Sequence, residues 1–270
     1  STATGGFGTE SGSIATFHSP AEEYVCTIFC FLSGVNFTLL YTSVAGFKFK
    51  QLFRNSEFKF YTTMIAAFTV FIMLELIFQC NYEVEHAFRS SVFQVVSFIT
   101  TTGLYSDDAA KWPHVTWVVL AACMFFGGSS GSTSGGIKSI RGVMLLKVVK
   151  NEFRQILHPN AVLPMKIDGY NVQMSKRVTL LGFIGLYLFL AVICAFTMIA
   201  AGIDSTNSMT ITLSCLGNVG PTLGLEIGPT MSWNELPDFA KWISSFLMLV
   251  GRLELFSVLV LFTPSFWKEN

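Results

Sequence analysis

Apolar positions in this chain gather into runs instead of alternating, and the run lengths carry the first information. Five are strongly apolar: Val25 to Ala45, Tyr61 to Phe78, Val115 to Phe126, Val178 to Ala201 and Trp242 to Phe262. Four match the roughly 20 residues a helix needs to cross a hydrocarbon layer about 30 Å thick, whereas the run at 115–126 is too short. Between them lie two semi-apolar segments, Glu85 to Ile99 and Ser205 to Leu216. As helices these reach only about 22 and 18 Å, which predicts re-entrant half-helices.

Each half-helix runs directly into a short glycine motif. Thr100-Thr101-Thr102-Gly103-Leu104 follows the first, Asn218-Val219-Gly220-Pro221 follows the second, and Ala3-Thr4-Gly5-Gly6-Phe7 precedes the first long run. Glycine tolerates backbone angles that turn successive carbonyl oxygens toward a common axis. Rings of such carbonyls replace the hydration shell of a monovalent cation. Non-helical backbone at membrane depth survives only where protein or water covers it. A half-helix also aims the negative end of its dipole at the pore, which favours a cation. The predicted ion-binding set is Ala3, Thr4, Gly5, Gly6, Thr101, Thr102, Gly103, Leu104, Asn218, Val219, Gly220 and Pro221.

The repeating frame is span, half-helix, glycine motif, span. It divides the chain into 1–57, holding a motif and its following span; 58–157 and 175–270, each a full unit; and a cytoplasmic connection at 158–174. The spans after the motifs align as Phe31-Leu32-Ser33-Gly34, Met124-Phe125-Phe126-Gly127 and Leu247-Met248-Leu249-Val250-Gly251. The first copy lacks its front half, so the chain is expected to be a piece of a longer protein. The predicted fold class is an all-α integral membrane protein, with helix, pore-helix-filter and helix units around a central ion pore.

After the run that is too short come ten consecutive residues drawn only from Gly, Ser and Thr: Gly127, Gly128, Ser129, Ser130, Gly131, Ser132, Thr133, Ser134, Gly135 and Gly136. A helix starting even at Trp112 advances only about 22 Å before this stretch, so the loop is expected inside the hydrocarbon layer, on the intracellular side of the filter, as a gate. A flexible cytoplasmic linker is the reading that composition alone would favour. A phosphate-binding loop is rejected, because Ile137 separates Gly136 from Lys138 and an apolar helix precedes the stretch. Lys138 and Arg252 complete the predicted gate. Arg252 is a charge within an apolar span, costly in lipid, and is expected to face the pore. Its neighbour Glu254 cannot share its helix face. Glu75 reads as a packing hydrogen-bond partner.

Composition agrees with a lipid-embedded chain: 51% of the 270 residues are hydrophobic, with 27 Phe, and the mean hydropathy is positive. Charge then sets orientation. With the filters on one side, the opposite loops and tail hold 13 basic residues, from Lys48 to Lys268, against Glu57, Glu152, Asp168 and Glu269. The filter side holds Arg89, Lys111 and Lys241 against 11 acidic residues, among them Glu10, Asp107, Asp108 and Glu226. Lys and Arg favour the cytoplasmic side, which places the filters outside, and an acidic outer vestibule concentrates cations. Asp107 and Asp108 read as an outer-loop charge pair. His18, His86, His114 and His158 show no metal-ligand spacing. Cys26, Cys30, Cys80, Cys123, Cys194 and Cys215 read as buried reduced thiols. No catalytic set, organic cofactor or nucleic-acid partner is expected.

The stretches Thr-Gly-Gly-Phe at 4–7, Thr-Thr-Gly-Leu at 101–104, Gly-Ser-Thr-Ser-Gly-Gly-Ile-Lys at 131–138 and Asn-Val-Gly-Pro at 218–221, with His158-Pro159-Asn160-Ala161-Val162 and Gly251-Arg252-Leu253-Glu254, resemble the Trk/Ktr/HKT superfamily of cation transporters. They are most similar to its bacterial Trk-type potassium uptake proteins. The resemblance covers essentially the whole chain. It implies four helix-filter-helix repeats, of which this chain holds the end of the second and all of the third and fourth. It further implies a multi-pass protein of the bacterial inner membrane, a homodimer with one pore per subunit, a cytosolic nucleotide-binding regulatory subunit and potassium as the ion held at the filter. Arg252 would be the family's pore arginine and the 127–136 loop the obstruction below the filter. The residue after each aligned glycine is Gly6, Leu104 or Pro221, a departure from tetrameric potassium channels that implies a less regular filter and looser selectivity. A sodium-permeable or sodium-coupled member of the superfamily stays open, as does channel-like conduction against symport. The reading of a different class is a non-transport membrane enzyme or assembly subunit.

Overall fold

The structure is a computed structural model that describes every residue except 1, 7–11, 18, 48, 162, 224–232, 254 and 269–270. Phe7, Glu10, His18, Lys48, Val162, Glu226, Glu254 and Glu269, which figure above, therefore lie outside the described residues.

Among the described residues, two helices are long and apolar enough to cross a membrane unbroken. α4 (Ser56–Cys80) begins at Asn55, whose side chain accepts from the Phe58 amide, and stops at Asn81 in the left-handed region. α8 (Met174–Ala200) is the other, and at 27 residues reaches about 40 Å. Both sequence-predicted half-helices form, as α5 (Val84–Ile99) and α9 (Ser205–Gly217). Their inner ends are buried on nearly all sides, because each is enclosed by spans. α5 packs on α4, on α1 (Pro20–Ser33) and on α6 (His114–Phe125). α9 packs on α6, α8 and α10 (Asp238–Arg252).

Two runs that were long enough to span are not single helices. Val25 to Ala45 divides into α1 and α2 (Phe37–Ala45), bent by 101°. Trp242 to Phe262 divides into α10 and a short α11 (Leu255–Leu259) with a 3₁₀ turn, bent by 116°. At the first break the Asn36 side chain caps α2 by accepting from Leu39 N at 3.0 Å. Gly34 lies so close to the Tyr61 hydroxyl and Thr100 that any Cβ there would clash. Apolar content continues through such a break, so run length alone misses it.

Besides short 3₁₀ turns, the described residues also form α3 (Phe49–Arg54), α7 (Ser139–Leu157) and a minimal hairpin, β1 (Lys166–Ile167) with β2 (Tyr170–Asn171), which pairs Lys166 with Asn171. The hairpin turns at Asp168-Gly169, both at positive φ, as a two-residue loop of this type requires. Two apolar cores result, one around α1, α4, α5 and α6 and one around α8, α9, α10 and α11. They interlock: Val219 of the last glycine motif sits in the first core, and Ile137 at the end of the Gly/Ser loop sits in the second.

Candidate functional site

The half-helices end alike. Thr101 and Asn218 take left-handed φ of 54° and 57°. The next amide reaches back five residues, Thr102 N to Ser97 O at 2.8 Å and Val219 N to Ser214 O at 2.9 Å. Thr101 N to Phe98 O and Asn218 N to Cys215 O, both 3.2 Å, complete a Schellman motif at each end. Two residues on, Gly103 and Gly220 are again at positive φ, 76° and 107°. The first motif repeats the pattern with Thr4 at 48° and Gly6 at 68°. The intervening Gly5, Thr102 and Val219 are not among the positive-φ residues. Alternating handedness brings successive amides to one side of the chain and successive carbonyls to the other.

The three motifs also touch. A Cβ on Gly6 would lie 2.7 Å from Thr102 O, and one on Gly103 would lie 2.3 Å from Val219 O. The motifs are therefore neighbours in chain order. On the open side, between the first and last, Ala3, Thr4, Gly5, Asn218, Val219, Gly220 and Arg252 line a cavity of about 470 Å³. Leu104 and Pro221 are buried, and the Leu104 carbonyl accepts from Ser97 Oγ at 2.5 Å. Ser214 Oγ correspondingly accepts from Gly220 N at 3.0 Å. Ser97 and Ser214 were not singled out from the sequence, although each stands six residues before its glycine.

The Gly/Ser stretch is a closed loop. A parallel bridge joins Phe126 to Ile137 at its neck, with Gly127 N donating to Ile137 O at 2.7 Å. Its residues are buried or half-buried apart from Gly131, and several of its backbone groups bond to protein outside the loop. Ser129 N donates to Gly34 O at 2.8 Å, Phe37 N to Gly131 O at 3.2 Å and Asn36 Nδ2 to Ser130 O at 2.5 Å. These bonds tie the loop into the α1–α2 break and account for the break itself. The loop meets all three motifs. Thr133 O accepts from Thr4 Oγ1 at 2.9 Å, Gly135 N donates to Thr101 Oγ1 at 2.6 Å, and a Cβ on Gly135 would lie 3.0 Å from the Asn218 Cβ.

Arg252 ends α10 and donates from Nη1 to the same Thr133 carbonyl at 3.0 Å. Lys138 donates from Nζ to Ser134 O. With Gly135 and Gly136, these two basic side chains line a small cavity of about 60 Å³. The acid that sequence reading left among the cytoplasmic charges, Glu57, is buried instead. Its Oε1 accepts from Ser130 N at 2.5 Å and from Ile140 N at 3.1 Å, which joins the loop to the start of α7. Glu75 is hydrogen-bonded by Gln79 one turn later. Asp107 accepts from Tyr82 Oη and Trp112 Nε1, both at 3.2 Å, while Asp108 pairs with Lys111 at 3.4 Å. Burial, then Asp107 itself, pushes the Tyr82 phenol up to about 12, so it remains a donor. All six cysteines are free, four of them buried.

Thr101→Val tests the contact between loop and motif. It leaves Gly135 N buried without an acceptor, a loss of about 1–3 kcal/mol, and should lower the thermal midpoint of the full-length protein in detergent. An unchanged midpoint would mean the amide finds another partner.

Long apolar helices, two short helices that end in glycine motifs and a closed non-helical loop beside them define an all-helical, multi-pass membrane protein built of repeated units. The profile of the TrkH family, described as cation transport protein, matches residues 1–269. The chain belongs to this family, one of transport proteins and not of enzymes. It is 36% identical over 268 residues to the Trk system potassium uptake protein TrkH of Salmonella typhimurium, covering 99% of this chain and 55% of that protein. It is 34% identical over 266 residues to TrkG of Escherichia coli, covering 98% and 54%. The crystal structure of the potassium transporter TrkH from Vibrio parahaemolyticus superposes with a TM-score of 0.93 at 32% identity, covering 99% of this chain and 57% of that one. The chain thus spans about half the length of the relatives it matches.

Proposed function

We propose that this chain supplies three of four walls of a cation filter, through which potassium crosses the bacterial inner membrane, and that the 127–136 loop with Lys138 and Arg252 gates the path beneath it. The observation that carries this reading is the repeated sign pattern of φ, at Thr4/Gly6, Thr101/Gly103 and Asn218/Gly220. Stripping an isolated ion of water costs tens of kcal/mol, and a helix end offsets about 2 kcal/mol at most. Direct coordination by carbonyls must therefore supply most of the compensation, and alternating handedness presents them. Among the filter residues, the carbonyls of Ala3, Thr4, Gly5, Thr101, Thr102, Gly103, Asn218, Val219 and Gly220 hold the ion. The names of the relatives, all potassium uptake proteins, support potassium as cargo.

The same reading takes the whole protein as a homodimer with a cytosolic nucleotide-binding regulatory subunit. It puts the filters outside and the basic loops in the cytoplasm. The test is rubidium uptake by the full-length protein in potassium-starved cells that lack other uptake systems. Saturable uptake competed by potassium and resistant to excess sodium is expected. Absence of uptake contradicts transport, and strong competition by sodium would replace potassium selectivity with a sodium-permeable pore.

A further inference from the structure

The cytoplasmic hairpin and the Gly/Ser loop, far apart in sequence, are joined by one short chain of polar contacts. Asp168, at the hairpin turn, accepts from Ser56 Oγ at 2.6 Å, Ser56 N at 2.9 Å and Asn55 Nδ2 at 3.2 Å. Asn55 caps α4 through the Phe58 amide at 2.9 Å. Asp168 therefore holds the first residues of α4 from outside. The next residue is Glu57, the buried carboxylate whose single oxygen takes both Ser130 N and Ile140 N.

We propose that Glu57 is a positioning residue that latches the Gly/Ser loop against the start of α7, and that the Lys166–Asn171 hairpin is the handle through which a cytoplasmic event releases it. A buried carboxylate that bonds two amides is costly to leave unpaired, so the loop and the α7 end move together or the latch opens at both points at once. One of those amides, Ile140 N, lies in the first turn of α7, where the helix dipole also favours an anion. The other, Ser130 N, lies three residues before the Thr133 carbonyl that Arg252 and Thr4 share. A displacement of one or two ångströms at Ser56 thus has a direct route to the site of those contacts. The hairpin end of the route is exposed, tied to α4 through Asp168 and to α7 by Lys147 Nζ, which donates to Lys166 O at 2.6 Å. Such exposed, lightly bonded segments are the low-stability end from which moving elements are drawn. Any effect on flux rests on the gating role proposed for the loop, while the latch itself does not.

The experiment separates the two. In a full-length, cysteine-free background, Ser132→Cys places a thiol on the half-buried loop, and its rate of modification by a membrane-impermeant reagent reports loop opening, while rubidium flux in proteoliposomes reports conduction. Glu57→Ala should raise the modification rate about tenfold, as expected for losing a charged hydrogen-bond acceptor. Glu57→Gln, which keeps one carbonyl oxygen in place, should restore most of the protection. Asp168→Asn, a conservative change on an exposed turn, should raise the rate severalfold without altering the fold. Unchanged modification in Glu57→Ala overturns the latch, and unchanged modification in Asp168→Asn overturns the hairpin's part in it. Faster modification with unaltered flux upholds the latch and instead removes the gating role of the loop.

Discussion

Gly103→Ala in the full-length protein should abolish discrimination between potassium and sodium, while Gly220→Ala at the aligned position should only weaken it. Both residues hold positive φ, 76° and 107°, so either alanine incurs roughly 1–2 kcal/mol of backbone strain. The surroundings make the difference. A Cβ on Gly103 would stand 2.3 Å from Val219 O and 3.2 Å from Pro221 Cδ, whereas the nearest atom to one on Gly220 is Gly103 Cα at 4.0 Å. The obstacle at Gly103 is backbone of the neighbouring motif, which cannot swing aside like a side chain. Relieving it must move the Val219 carbonyl, one of the groups proposed to hold the ion. Rubidium and sodium fluxes in proteoliposomes measure the effect. Equal selectivity in the two variants would show that contact between adjacent motifs does not set the filter's geometry.

Removing the restraint beneath the filter should act in the opposite sense and raise flux. Arg252→Ala deletes the charged donor to Thr133 O, a hydrogen bond of about 1.5–3 kcal/mol, or roughly a tenfold to hundredfold rise in the released population. Deleting 128–135 should raise flux further. That deletion also removes the Gly135 N bond to Thr101 Oγ1, so its selectivity should fall, whereas Arg252→Ala leaves that bond in place and should keep it. A deletion variant that folds but conducts no more than the parent protein would end the gating interpretation.

How much of this was legible in the sequence follows from what each feature depends on. The half-helices were readable because the lengths of 85–99 and 205–216 are local properties, and the motifs because each places glycine where φ is positive. The end of α6 just before the Gly/Ser stretch was readable from the shortness of its apolar run. The α1–α2 break was not, since its run stays apolar and the bonds that stabilise the bend come from a loop about 95 residues away, through Ser129 N and Ser130 O. Glu57 was only counted among the charges opposite the filters, and its burial was not legible for the same reason, since its partners are backbone amides without a sequence signature. Ser97 and Ser214 were within reach: a serine six residues before the glycine recurs in both units, and that comparison would have marked them.

The central claim, that alternating handedness in three motifs makes a cation site, is tested most directly by anomalous diffraction from crystals of the full-length protein grown in rubidium. A rubidium peak is predicted on the axis between the carbonyls of Thr4 and Gly5, Thr101 and Thr102, and Asn218 and Val219, lost in Gly103→Ala. A well-ordered filter with no peak there, or with rubidium bound only elsewhere, would contradict it.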